Sequence, residues 1–265
     1  MRMIILCFFL FLSGLMVMDE FVLDSQAQTM PVVSGHRGAS GLAPENTMAA
    51  IRKAMQLGAT MTEIDVHLTK DGHVVLMHDD SLHRTTNGRG LVAEKTVDEI
   101  KKMDAGSWFD KAYAGEPVPT LDEVMDLVRG KMKLNIEIKI SGLEPDIAER
   151  TIAVIRENEF SDQCIITSFD RATIEKVKVL APDIRTGWIF SKVPGPEVFD
   201  GTWQVLSVNY KSVSPEFMEK ARTTKKQVYV WTVNKPRIMK SMIPLGVDAI
   251  LTDYPDRLIE VLDQL

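Results

Sequence analysis

Residues 133–168 read KLNIEIKISGLEPDIAERTIAVIRENEFSDQCIITS. A run with apolar side chains at every second position (133–139) gives way, past Ser141-Gly142, to a stretch with apolar residues three and four apart (145–158). A second apolar run follows at 163–168. Period two marks a strand and period 3.6 a helix, so the segment reads strand–helix–strand. Strands joined through a helix lie parallel, with the helix packed over the sheet.

The same alternation continues in both directions. Strand candidates fall at 32–35, 62–68, 73–77, 133–139, 163–168, 184–189, 204–208, 227–232 and 247–251, and helix patterns at 47–57, 121–128, 145–158, 171–180, 215–224, 236–243 and 255–262. Several helices open on Pro or on a capping residue, with Asn46 before Thr47, Thr120 before Leu121 and Asp170 before Arg171. This order fits a closed (β/α)8 barrel or an open doubly wound sheet. Nine strand candidates exceed a barrel's eight, and the surplus falls at 62–77, where only Lys70-Asp71-Gly72 separates two runs. So tight a link joins antiparallel strands, so the pair is a hairpin rising from the second barrel strand. With Asp71-Gly72 as a two-residue turn, Lys70 pairs with His73 and Asp65 lies opposite His78. A three-residue loop would shift the register by one and turn His78 to the other face. The two-residue turn is the expectation. Residues 79–119, with Gly88, Gly90, Gly106, Gly115 and one short helix at 96–103, read as a small insertion over the barrel mouth.

Of the 265 residues 45% are hydrophobic and 26% charged, and the net charge is −6 with no basic block. That balance argues against a nucleic-acid partner or an anionic membrane surface, both of which select a positive face. No protein partner is implied. Met1-Arg2, an apolar run at 3–18 and small residues Ser25 and Ala27 build a signal peptide over residues 1–27, leaving a domain at 30–265. The run is shorter than the ~20 residues of a membrane span. The expectation is a secreted protein without stable membrane insertion after cleavage, an uncleaved anchor being the alternative. Past the leader Cys164 stands alone, so no internal disulfide forms, and its apolar neighbours make it a buried small hydrophobe.

Charged and imidazole residues collect at strand ends, where barrel enzymes keep their chemistry. His36 and Arg37 follow the first strand, Glu63 and Asp65 lie on the second, His78 follows the hairpin, and Glu137 and Lys139 lie on the fourth candidate run. In Leu134-Asn135-Ile136-Glu137-Ile138-Lys139 the apolar set shares one face and must meet the helices, which sends Glu137 and Lys139 inside. Glu63 and Asp65 share a face opposite Ile64 and Val66. Three carboxylates in one interior repel one another. A divalent cation resolves the conflict, and all-oxygen ligation points to Ca2+ or Mg2+. Internal salt bridges to Arg37 and Lys139 are the competing account. Two histidines beside a cation suit general acid–base work on a phosphodiester, whose leaving group needs a proton. His67, His73 and His83 are assigned solvated or packing roles.

Taken together these segments resemble the glycerophosphodiester phosphodiesterase family. The likeness rests on Gly35-His36-Arg37-Gly38, Pro44-Glu45-Asn46-Thr47, Glu63-Ile64-Asp65-Val66 and Leu76-Met77-His78-Asp79 with Arg84-Thr85-Thr86-Asn87-Gly88. It continues through Pro119-Thr120-Leu121 and Glu137-Ile138-Lys139, with weaker agreement at Thr167-Ser168-Phe169, Val230-Trp231-Thr232 and Thr252-Asp253-Tyr254-Pro255. The resemblance implies a TIM barrel that hydrolyses glycerophosphodiesters to sn-glycerol 3-phosphate and an alcohol. It implies His36 and His78 as the acid–base pair, Glu63, Asp65 and Glu137 as cation ligands, Arg37 and Lys139 on the phosphate, and Trp231 walling the glycerol side. Rival readings are a phosphatidylinositol phospholipase C-like or sphingomyelinase D-like enzyme, and a catalytically silent phosphodiester-binding protein. The lipid-directed rivals need an exposed aromatic or amphipathic docking surface, and the sequence signals none.

Overall fold

The structure, a computed structural model, describes residues 30–265, so the leader expected at residues 1–27 lies outside the described residues. The described strands are β1 (Val32–His36), β2 (Met61–Leu68), β3 (Val74–Leu76), β4 (Lys133–Ile138), β5 (Cys164–Ser168), β6 (Arg185–Phe190), β7 (Val205–Asn209), β8 (Gln227–Trp231) and β9 (Ala249–Thr252). All but β3 pair in parallel in the order β1-β2-β4-β5-β6-β7-β8-β9, and β9 returns to β1. The sheet closes into an eight-stranded barrel, which decides between the two architectures the strand–helix order left open. Around it run α1 (Met48–Gln56), α2 (Val97–Ile100), α3 (Leu121–Val128), α4 (Ile147–Glu157), α5 (Arg171–Leu180), α6 (Pro215–Thr223), α7 (Pro236–Met242) and α8 (Pro255–Leu262). Among the described residues no helix is long and apolar enough to cross a membrane.

Strand alternation divides the core in two. Ile64, Leu134, Ile136, Ile166, Leu206 and Ile250 face outward and pack with Ile51, Leu121, Ile155, Ile174 and Leu258 of the helices. Met61, Ile165, Val205, Tyr229 and Ala249 cluster inside the barrel, with Leu251 above them lining its mouth. Burying each large aliphatic side chain contributes about 1.5–3 kcal/mol, so a one-residue slip of a barrel strand would be costly. On β2 the inward face runs from Met61 at the bottom to Glu63 and Asp65 near the mouth. The same register that fixes the core therefore aims the acids.

The hairpin departs from expectation. Val66 pairs with Leu76, His67 with Val75 and Leu68 with Val74. Lys70, Asp71 and Gly72 thus form a three-residue loop, and Met77, not His78, stands opposite Asp65, its N–H donating to the Asp65 carbonyl at 3.1 Å. Gly72 closes the loop at φ +82°, a left-handed conformation suited to glycine. Asp71 accepts from Thr69 Oγ1 at 2.6 Å and from Val97 N at 3.0 Å, so a distant helix helps set the turn. Because β3 ends at Leu76, His78 is released from strand alternation and still reaches the mouth.

The insertion has its own small core of Val75, Met77, Leu82, Val92, Ile100, Ala105 and Val118. The helix expected at 96–103 is the single turn α2, held by a capping box between Thr96 and Glu99. Thr120 and Asp170 cap α3 and α5 as expected. Asn46 does not cap α1. Thr47 does, and Asn46 is turned toward Asp65 instead.

Candidate active site

The β1–α1 turn brings backbone and acid together. Arg37 adopts φ 56° and Gly38 φ +82°, and a Cβ on Gly35 would stand 2.6 Å from the Gly38 carbonyl oxygen. A non-glycine residue held left-handed costs on the order of 1–3 kcal/mol. The turn is held by Arg37 N donating to Glu63 Oε2 at 2.8 Å and by Asn46 N donating to the Arg37 carbonyl at 3.0 Å. Asn46 Nδ2 also donates to Asp65 Oδ2 at 2.8 Å, and Asp65 N donates to Asn46 Oδ1 at 3.1 Å. The Gly-His-Arg-Gly and Glu-Asn segments are therefore the frame on which the β2 carboxylates rest.

Glu63, Asp65 and Glu137 each offer an oxygen within 4.8 Å of the others, and all three are buried. Lys139 Nζ lies 2.7 Å from Glu137 Oε1 and 3.5 Å from Asp65 Oδ1. Arg37 Nε is 3.3 Å from Asp65 Oδ2 but makes no hydrogen bond, while its Nη1 donates to Glu45 Oε1 at 2.9 Å. The expected salt bridges are thus real, yet two cations face three acids, and Arg37 is shared with Glu45. Glu63 Oε1 is buried without a hydrogen-bond partner. Burial, then Asp65 and Glu137, push the Glu63 carboxyl well above the ordinary range. Burial and Asp65 push Glu137 up to about 7 against the pull of Lys139. Burial opposes ionisation of Asp65 too, but Arg37 and Lys139 overcome it and hold that group below its usual value. An orphaned buried carboxylate oxygen inside an all-oxygen trio fits a hard divalent cation, and the salt bridges leave it unsatisfied.

Both histidines are held by carboxylates. His36 Nδ1 lies 2.6 Å from Asp253 Oδ1, just beyond β9, and Asp253 also accepts from Ser40 Oγ at 2.9 Å and Asn234 Nδ2 at 2.5 Å. Burial opposes the Asp253 charge, but His36, Ser40 and Asn234 more than offset it and keep the group below its ordinary value. His78 Nδ1 lies 2.7 Å from Asp79 Oδ1. Asp79 is held well below the usual carboxylate range, first by Arg84, whose Nε donates to its Oδ2 at 2.6 Å. Arg84 in turn pairs with Glu45, so a chain of alternating charge runs from His78 to Arg37. Burial lowers the His78 ring pKa, with Asp65 opposing and Arg37 adding to the drop. In each imidazole it is Nδ1 that the carboxylate engages.

His36, Arg37, Glu63, His78, Glu137, Lys139 and Trp231 line one chamber of about 140 Å³ at the barrel mouth. Asp65 lies beneath it, in contact with Arg37 and Lys139. Trp231 ends β8 and meets Phe169 edge-on at 5.6 Å. A larger groove of about 780 Å³ runs along α6 and shares no lining residue with this chamber. Sequence reasoning gave no role to Asp253, Asp79, Glu45 or Asn135, which lines the chamber. Asp79 was detectable as the neighbour of His78, and Asp253 as an acid just past a late strand. His67 is buried against Glu144 at 3.0 Å, a packing role, while His73 and His83 are exposed. Burial pushes the Cys164 thiol up to about 12, as suits an inert core residue.

Residues 36–257 match the model of the Glycerophosphoryl diester phosphodiesterase family. The chain is 42% identical over 236 residues to the glycerophosphodiester phosphodiesterase of Caldanaerobacter subterraneus subsp. tengcongensis, covering 87% of this chain and 97% of that one. It is 33% identical over 242 residues to a glycerophosphodiester phosphodiesterase of Bacillus subtilis, covering 83% of each. A solved phosphodiesterase of Oleispira antarctica, in complex with the product sn-glycerol-3-phosphate, matches with a TM-score of 0.84 at 32% identity, over 88% of this chain and 97% of that chain.

Proposed function

The chain belongs to the glycerophosphoryl diester phosphodiesterase family, and from that footing we propose that it hydrolyses glycerophosphodiesters to sn-glycerol 3-phosphate and an alcohol with a divalent cation held by Glu63, Asp65 and Glu137. The observation that carries the cation is the partnerless Glu63 Oε1, buried beside two further carboxylates. The all-oxygen set favours Ca2+ or Mg2+. Such an ion would neutralise the acids and draw charge off the phosphate oxygens.

The chain's own groups supply the rest. Arg37 Nε, buried without a hydrogen bond, and the Lys139 ammonium are placed to hold the phosphate oxygens. One imidazole takes the proton of the attacking oxygen, and the other donates a proton to the departing alkoxide. Asp253 and Asp79 orient the rings through Nδ1 and stabilise each ring while it is protonated. Two rings that can exchange roles suit a two-step course. The glycerol hydroxyl next to the phosphate attacks first, and water then opens the cyclic phosphate. Trp231 packs against the glycerol carbons. The leader reading places the enzyme outside the cytoplasm, and N-terminal sequencing of the exported protein tests it.

The functional test is turnover of glycerophosphocholine and glycerophosphoethanolamine by the purified chain, before and after EDTA, with cation added back. Release of glycerol 3-phosphate that stops on chelation and returns with Ca2+ or Mg2+ is the expected result. No turnover of any water-soluble diester would favour a lipid-directed enzyme or a silent binding protein.

A further inference from the structure

We propose that the leaving alcohol rests on an apolar ledge formed by Ile140 and Phe169, and that the enzyme favours glycerophosphodiesters whose alcohol carries an apolar chain. The inference rests on the hydrolase reading above and names its substrate class. The chamber between the histidines, at about 140 Å³, is well below the ~300–1,000 Å³ of a pocket that encloses a whole small molecule. One side of the diester fills it, so the other side must lie elsewhere. Glu137, Lys139 and Phe169 line both this chamber and a second cleft of about 410 Å³ between the ends of β4 and β5. The two spaces therefore adjoin across these three side chains.

The lining of the second cleft decides what it takes. Ile140 is 51% exposed and Phe169 47% exposed, two large apolar side chains half bare beside an active site. Apolar residues scattered singly on a surface need no explanation, but adjoining ones at a site mark a binding surface. Trp231 braces the Phe169 ring edge-on at 5.6 Å, which limits its freedom to fold down and fill the cleft. Lys139 Nζ stands 5.9 Å from the centre of the same ring and is itself paired with Glu137 Oε1 at 2.7 Å. Two of the cleft's polar atoms are engaged. Asp170 Oδ2 caps α5, accepting from Thr173 N at 2.8 Å and Thr173 Oγ1 at 2.6 Å, and Ser168 Oγ donates to the Ile138 carbonyl at 2.8 Å. What Ile140 and Phe169 themselves offer a ligand is hydrocarbon, on one side of a cleft whose other side is polar.

The test compares kcat/KM of the cation-loaded enzyme on glycerophosphocholine and on a series of glycerophospho-n-alkyl esters from ethyl to hexyl. Within the alkyl series the leaving alkoxides are chemically alike, so chain length reports on binding. The expected result is a rise of up to about four-fold per added methylene over the first few, the effect of burying one CH₂. Ile140→Ser flattens that rise by raising KM for the longer esters, and Val179→Ser, on the exposed outer face of α5, leaves it intact. A flat series in the native enzyme, or an equal slope in Ile140→Ser, overturns the ledge while hydrolysis of glycerophosphocholine upholds the function. Failure to hydrolyse any of these diesters overturns the function, and the ledge with it.

Discussion

Replacing Glu137 with Gln should stabilise the cation-free protein while weakening its hold on the cation. Burial and the neighbouring Asp65 push the Glu137 carboxyl up to about 7 from an ordinary 4.5. Keeping that group ionised at pH 8 therefore costs the folded chain about 3 kcal/mol relative to the unfolded chain. The sign follows from the raised folded-state value. Below pH 4.5 the carboxyl is protonated in both states and nothing is lost, and the cost grows as pH climbs to about 7. Glutamine carries no charge at any pH, so Glu137→Gln recovers up to about 3 kcal/mol at pH 8 and nothing near pH 4. For a chain of this size 1 kcal/mol moves the melting temperature by about 2–4 °C. In EDTA at pH 8 the variant should melt about 6–12 °C above the native protein, with the two converging in acid. Adding Ca2+ or Mg2+ should raise the native protein far more than the variant, since binding to the folded state alone stabilises it. A variant that melts below the native chain in EDTA at pH 8, or gains as much from cation, would refute the claim that these acids repel one another in a shared site.

His36→Ala and His78→Ala should leave cation affinity unchanged while lowering turnover by about 10²–10⁴-fold, checked by calorimetry and steady-state kinetics. Asp79→Asn removes a hydrogen bond that raises the His78 pKa, so the limb of the pH–rate profile set by His78 should move to lower pH, and a stationary limb would show that Asp79 does not act through that ring. Cation affinity of the native chain should fall at least ten-fold per pH unit below pH 7 as Glu137 takes up a proton, and more steeply where Glu63 does so too, measured by titration between pH 5 and 8. Leu82→Ala opens a cavity in the insertion's small core, costing about 2–5 kcal/mol, and should raise amide exchange across residues 79–119 before it affects the barrel.

Strand alternation made most of the barrel legible. On β4, Leu134, Ile136 and Ile138 had to meet the helices, and that alone aimed Glu137 inward. The same reasoning on β2 aimed Glu63 and Asp65 opposite Ile64 and Val66, so the acidic trio could be assembled without coordinates. The hairpin register was not legible, because Asp-Gly also serves a three-residue loop when the glycine turns left-handed, and Val97 helps fix that loop from 26 residues away. His78 kept its place despite the slip because it lies past the end of β3. The partner of His36 was hidden for a different reason. Asp253 is 217 residues away, and only barrel closure between β9 and β1 brings the two together. The half-exposed Phe169 and Trp108 were likewise missed, since sequence distinguishes an aromatic that plugs a core from one that rims a mouth only when its neighbours are known.

The claim on which the account turns is that Glu63, Asp65 and Glu137 close on one metal ion. Crystals grown with Mn2+ in place of the native cation, and measured at its absorption edge, test it directly. One anomalous peak touching an oxygen of each of the three side chains, Glu63 Oε1 among them, is the expected result. A map with no peak there, from enzyme whose turnover in the same Mn2+ solution stops on chelation, would contradict it.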